Sequence, residues 1–165
     1  MQDHTTKKTL LLMRHAAPIL SDGPDFDRPL SVLGKNDAQA AGKILSSYKI
    51  DAVFCSPAAR TRQTWECVQV GGASASQVVY QDNLYAASAR EIAALVSGLP
   101  ETASTVLVIG HNPALAEAAR LLCRPNFRTG FLENGLARAA IVVLDFSDLW
   151  LNAEGNMNLV AHHLV

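Results

Sequence analysis

The chain has 165 residues, 49% of them apolar and 18% charged, which suits one globular domain and excludes a disordered chain. Its formal net charge is −1, so no global basic field favours nucleic acid or an anionic membrane surface, and any anionic ligand must be gripped locally. Three cysteines without CxxC spacing, Cys55, Cys67 and Cys123, form neither a disulfide framework nor a zinc motif and suit a reducing cytoplasm.

The N-terminus is polar, and no apolar run approaches the ~18 residues that a bilayer span needs. Thr9 to Arg14 then reads as a buried parallel strand, Leu10-Leu11-Leu12-Met13 closed by Arg14-His15. Residues 16–30 hold Pro18, Gly23, Pro24 and Pro29 and read as a loop. Ser31 caps a helix to about Tyr48, with Ala38, Ala41, Leu45 and Tyr48 along one face. Ala52 to Cys55 is a second strand. Ser56-Pro57 predicts a cap and a first-turn proline for a helix to about Val68, ended by Gly71-Gly72. Val78 to Tyr80 is a third strand.

Ser88 and Glu91 form a capping box ahead of Ile92, Leu95, Val96 and Leu99. Thr105 to Ile109 is the clearest strand, and Asn112-Pro113 predicts a cap for a helix to about Leu122. Ala139 to Phe146 and Met157 to Val165 complete the strands, the latter at an edge. Strands separated by helices argue for an α/β fold: three layers, α/β/α, around a mostly parallel sheet. Trp65 and Trp150 read as packing residues, and His162 and His163 as edge or surface residues. Phe131, Leu132 and Leu136, around the Gly130–Gly135 stretch, could rim a crevice, with Glu133-Asn134-Gly135 as a turn.

Three strand-to-helix junctions carry phosphate-compatible groups: Arg14-His15, Ser56-Pro57 through Arg60, and Gly110-His111-Asn112-Pro113. If the three strands are parallel, these junctions share one edge of the sheet, where ligands of such sheets bind. An Arg can grip phosphate with its planar fork, helix N-termini favour anions, and a His can act as nucleophile or proton carrier. Singly, each has an ordinary alternative: a satisfied histidine at a strand end, a solvated helix arginine, a loop histidine. No GxGxxG or P-loop string follows a strand.

Leu12-Met13-Arg14-His15-Ala16 resembles the RHG signature of the histidine phosphatase superfamily, with Ala16 in place of its glycine. Ser56-Pro57, Arg60 and Gln63-Thr64 resemble its second motif, and Gly110-His111-Asn112-Pro113 its second histidine motif. Arg28-Pro29-Leu30-Ser31 with Gly34 resembles its RPLT…G stretch. The matches run in order over residues 10–123 and look like the small bacterial phosphohistidine phosphatase branch. The resemblance implies a phosphoglycerate mutase-like fold in a single domain spanning 1–165. It implies a metal-independent phosphatase in which His15 becomes phosphorylated while Arg14, Arg60 and His111 hold the phosphoryl oxygens. Asn112, Arg28 and Ala16 would help bind phosphate or substrate. No cofactor is expected.

Larger members of the superfamily place a Glu or Asp near the site to protonate an alkoxide. Here Asp82 reads more simply as a turn residue and Glu91 as part of its capping box, while Asp22, Asp25 and Asp27 could approach from the first loop. Without an acid, a phosphoramidate is a better substrate than an alkyl ester, so the expected partner is a phosphohistidine-bearing protein. The alternatives are a phosphatase or mutase acting on a small phosphate ester, and a phosphate-binding module without turnover. The expected assembly is a monomer or weak dimer.

Overall fold

The computed structural model describes residues 6–127 and 133–165. Its strands are β1 (Lys8–Arg14), β2 (Ile50–Cys55), β3 (Ala75–Tyr80), β4 (Thr105–Gly110), β5 (Ile141–Phe146) and β6 (Asn158–His163). They form one sheet in the order β3-β2-β4-β1-β5-β6. β1, β2, β3 and β4 run parallel, while β5 is antiparallel to β1 and β6 to β5. The sheet is therefore mostly parallel, as the alternation of strand and helix required.

Four α-helices cover it among the described residues: α1 (Val32–Leu45), α2 (Ala59–Val70), α3 (Ala89–Ser97) and α4 (Ala114–Leu122). Successive strand residues point to opposite faces. Leu10 and Leu12 of β1 accordingly join a core with α3 and α4, and Leu11 and Met13 join a second core with α1 and α2. Burial on both faces explains why this strand is a continuous apolar run. No helix among the described residues is long and apolar enough to cross a membrane.

Several boundaries differ from expectation. α1 ends at Leu45 rather than Tyr48, because the Ser46 and Ser47 hydroxyls donate to the carbonyls of Lys43 and Ile44. β3 begins at Ala75, three residues before the apolar stretch that marked it. It is an edge strand with exposed positions, so its first half has no apolar signature. β5 begins at Ile141, not Ala139; Ala139 has φ +61° and its N–H donates to the His15 carbonyl. β6 spans Asn158–His163 within the predicted run. Four short 3₁₀ turns among the described residues, Asp25–Asp27, Asp82–Leu84, Pro125–Phe127 and Trp150–Asn152, had no sequence signal.

The two predicted Ser/Asn–Pro caps are also corrected. The cap of α2 is Ala58 and that of α4 is Pro113, neither with a side-chain cap bond. From the start of α2, Ser56 Oγ accepts only a long bond, from the Ala58 N–H at 3.4 Å, and Asn112 spends its side chain elsewhere. Gly34 holds α1 close to the chain that follows β1, since a Cβ there would lie 2.1 Å from the Ala17 carbonyl oxygen.

Candidate active site

The register of the sheet brings the three junctions together. Arg14 pairs with Gly110 at the ends of β1 and β4, and Cys55 of β2 pairs with Ile109. The next residues stay in step: His15 N–H donates to the Gly110 carbonyl and Ser56 N–H to the Ile109 carbonyl. Three parallel neighbours thus end at one level, and Arg14, His15, Arg60 and His111 converge on one crevice. The His15 and His111 ring centroids are 5.3 Å apart.

His15 is 6% exposed, and its Nδ1 lies 2.8 Å from the Ala16 carbonyl oxygen. A carbonyl only accepts, so Nδ1 carries the proton and Nε2 keeps its lone pair. Burial, reinforced by His111, Arg60 and Arg14 and opposed by the Ala16 bond, lowers the pKa to about 3. The ring is neutral at pH 7.

His111 is arranged the other way round. Its Nδ1 accepts from Arg60 Nη2 at 3.4 Å, so Nε2 holds the proton and donates to Ser56 Oγ at 2.8 Å. Burial and then Arg60 bring its pKa down to about 4. Arg14 donates through Nη1 to the Leu136 carbonyl. Arg60 donates through Nη1 to the Asp25 backbone oxygen and through Nη2 to Asp25 Oδ2. The Nε atoms of both arginines are buried without a protein partner.

The second motif explains itself through its contacts. Thr64 Oγ1 accepts from the Ala16 N–H and donates to the Arg60 carbonyl, tying the two motifs together. Gln63 Oε1 accepts from the Leu30 N–H and so fixes the first loop.

The remaining expected site residues are placed as follows. Ala16 has both backbone groups engaged, its N–H by Thr64 and its carbonyl by His15. It orients the histidine and is not free to bind a phosphoryl group, which corrects the expectation. Arg28 points to Asp25 Oδ1 at 3.0 Å rather than lying open. Asn112 Nδ2 donates to the Leu136 carbonyl while its Oδ1 is buried unpartnered, at the crevice margin. Leu136 does rim the crevice, through that carbonyl; Gly130, Phe131 and Leu132 lie outside the described residues.

Of the acid candidates, Glu91 closes the capping box with Ser88 and Asp82 is exposed at the start of a 3₁₀ turn. Asp25 reaches the site but as an anion. The Tyr85 hydroxyl donates to Asp25 Oδ2 at 2.7 Å, and this bond, with Arg60 and Arg28, lowers the carboxyl to about 2. Sequence reasoning missed Tyr85, and it read Ser56 as a cap and motif residue without its bond to His111. Tyr85 lies three residues after Asp82, but a phenol is not a carboxylic acid and carries no such signal. No group of three His, Cys, Asp or Glu suited to a metal occurs among the described residues.

The site thus sets a neutral imidazole beside two guanidinium groups, an arrangement suited to an anion of several oxygens. Comparison with known proteins agrees. Residues 10–85 match the histidine phosphatase superfamily (branch 1). A solved structure from Nakamurella multipartitia, described as a candidate phosphohistidine phosphatase SixA, is 36% identical to this chain, covers 98% of both chains and superposes with a TM-score of 0.86. The chain belongs to the histidine phosphatase superfamily. A second relative, an uncharacterised protein of Mycobacterium tuberculosis (strain H37Rv), is 29% identical over 160 residues, 92% of this chain and 99% of that one. A SixA protein histidine phosphatase complexed with tungstate shares the superfamily fold at a TM-score of 0.78 and 24% identity, covering 93% of this chain and 95% of its own. The chain is thus a phosphatase of this superfamily and resembles its small SixA-like members over nearly its whole length.

Proposed function

We propose that this protein removes the phosphoryl group from a phosphohistidine on another protein, through a phosphohistidine formed on its own His15. The observation that carries the reading is the pairing of a neutral, oriented His15 with the buried, unpartnered Nε atoms of Arg14 and Arg60. Two buried cationic donors without protein acceptors call for an anion of several oxygens.

In the proposed reaction Arg14, Arg60 and His111 hold the phosphoryl oxygens, and Asn112 extends that set. His15 Nε2 forms a bond to phosphorus as the bond to the substrate nitrogen breaks. The electron pair goes to the departing imidazole, which leaves neutral because its remote nitrogen is protonated. The His15 ring then carries positive charge, spread to Nδ1 and steadied by the Ala16 carbonyl. Water attacks the phosphorus next, the P–Nε2 bond breaks, its pair returns to Nε2, and the water protons leave with inorganic phosphate and solvent.

Substrate choice follows from acidity. An alkoxide needs a proton donor, and the carboxylate bonded to the array is an ion-paired Asp25 with a pKa of about 2. An imidazole already protonated needs none. The small-ester reading must therefore find an acid that the described residues do not bring to the crevice. The SixA description of the N. multipartitia relative supports the same choice. The absence of CxxC spacing among Cys55, Cys67 and Cys123 suits the reducing cytoplasm proposed for it.

The test is phosphate release from a phosphohistidine peptide and from a simple alkyl phosphate, with wild type and His15→Ala. Faster release from the peptide, abolished by His15→Ala, is expected. Faster release from the ester overturns the phosphohistidine reading.

A further inference from the structure

One wall of the crevice is aromatic, and phosphate chemistry does not require it. Phe26, in the 3₁₀ turn Asp25–Asp27, meets Tyr85 edge to face with ring centroids 5.1 Å apart at 84°. Tyr85 meets His111 in the same manner at 5.7 Å and 83°. His111 stands 5.3 Å from His15, so a row of rings leads from the nucleophile outward. Phe26 belongs to neither core and is 39% exposed, and Tyr85 is half-buried. Core packing therefore does not account for these two rings.

Their place relative to the phosphoryl group is defined by what Tyr85 touches. Its ring meets His111, and its hydroxyl meets Asp25, which is bonded to Arg60. A phosphoryl group held by His111 and Arg60 would lie next to Tyr85, with Phe26 beyond it.

We propose that Phe26 and Tyr85 form a leaving-group subsite that selects a ring, the imidazole of a phosphohistidine, over leaving groups without one. The inference rests on the reaction proposed above and names the residues that recognise its substrate. A phosphohistidine protonated on its remote nitrogen is cationic at the ring until the P–N bond breaks. Aromatic faces attract such cations. The Asp25 carboxylate, 2.7 Å from the Tyr85 hydroxyl, adds an anion to the same wall. An alkyl or simple amine leaving group gains less from both.

Two substrates isolate the effect. Free phosphohistidine and phosphoramidate both break a P–N bond, and only the first has a ring. The variants are Phe26→Ala, Tyr85→Leu and Tyr85→Phe, the last keeping the ring without the hydroxyl. For Phe26→Ala, kcat/KM for phosphohistidine should fall about tenfold, while phosphoramidate turnover stays within about twofold and so certifies the fold. Tyr85→Leu should lower phosphohistidine turnover about tenfold more than phosphoramidate turnover. Tyr85→Phe should retain the wild-type preference for phosphohistidine over phosphoramidate. Equal losses on both substrates, no loss on either, or loss of that preference in Tyr85→Phe overturns the subsite. A wild type that cleaves neither P–N compound overturns the underlying reaction instead, and the two failures are thereby distinguished.

Discussion

Asp25 holds Arg60 twice: Nη1 donates to its backbone oxygen at 2.9 Å and Nη2 to Oδ2 at 3.0 Å. The Arg60 side chain is 8% exposed, and that of Asp25, whose Oδ1 accepts from Arg28 and whose Oδ2 also accepts from Tyr85, is 53% exposed. A fixed anion beside the proposed phosphoryl site repels phosphate while it orients the arginine that grips it.

Replacing that anion separates the two effects. Asp25→Asn keeps the backbone contact and a side-chain acceptor and loses the charge. Inhibition by inorganic phosphate should tighten by about threefold to tenfold, the modest size reflecting solvent screening of a half-exposed group. Turnover of a phosphohistidine peptide should stay within about tenfold of wild type. Weaker phosphate inhibition would make the carboxylate chiefly a clamp on Arg60, and a collapse of ester turnover alone would make Asp25 the proton donor after all.

The two histidines predict an unusual pH dependence. His15 is lowered to about 3 and His111 to about 4, both chiefly by burial, from an ordinary 6.5. Between those values and pH 6.5 the unfolded chain binds more protons than the folded one, so stability rises with pH across that window and levels off above it. Denaturant unfolding from pH 4 to 7 should show the rise in wild type and a flatter curve in His15→Asn/His111→Asn. The acid limb of activity should likewise lie near pH 3 to 4 and not near 6.5. An activity limb at ordinary histidine pH would mean that neither ring is desolvated as described.

Ser56 carries the next expectation. It is completely buried, and its hydroxyl accepts the His111 Nε2 proton at 2.8 Å. Ser56→Ala leaves that N–H without a partner, a cost of about 1–3 kcal/mol, which a move of the proton to Nδ1 does not relieve because Nδ1 faces the Arg60 donor. Turnover should fall about tenfold or more, and nitrogen NMR should show His111 still protonated at Nε2 but with that N–H no longer hydrogen-bonded. Unchanged His111 signals with reduced activity would assign the loss to packing.

What the sequence revealed and what it concealed divides along local and long-range lines. Arg14, His15, Arg60 and His111 were legible because each follows an apolar strand, and the order of strands and helices implied parallel neighbours with a common end. The Ser88–Glu91 box was legible because its partners are three residues apart. Ser56 was misassigned as a cap because cap preference is local, while the shorter of its hydroxyl's two bonds joins it to His111, 55 residues away. Asp25 and Tyr85 are 60 residues apart and meet from two short turns without periodicity. Nothing in either segment alone distinguishes them from solvated loop residues.

Two glycines of α1 give the last expectation, because they are crowded in different places. A Cβ at Gly42 would lie 2.2 Å from the Val68 carbonyl of α2, a contact between helices remote from the crevice. A Cβ at Gly34 would lie 2.1 Å from the Ala17 carbonyl, which also accepts from the Ser31 N–H and hydroxyl. Relief at Gly34 must move either α1 or the Ala16–Ala17 segment, and the Ala16 carbonyl is what holds His15 Nδ1. Gly34→Ala and Gly42→Ala should each lose about 1–3 kcal/mol of stability. Only Gly34→Ala should also weaken tungstate binding, measured by calorimetry well below its unfolding midpoint. Equal binding in both variants would show that the loop absorbs the displacement before it reaches the histidine.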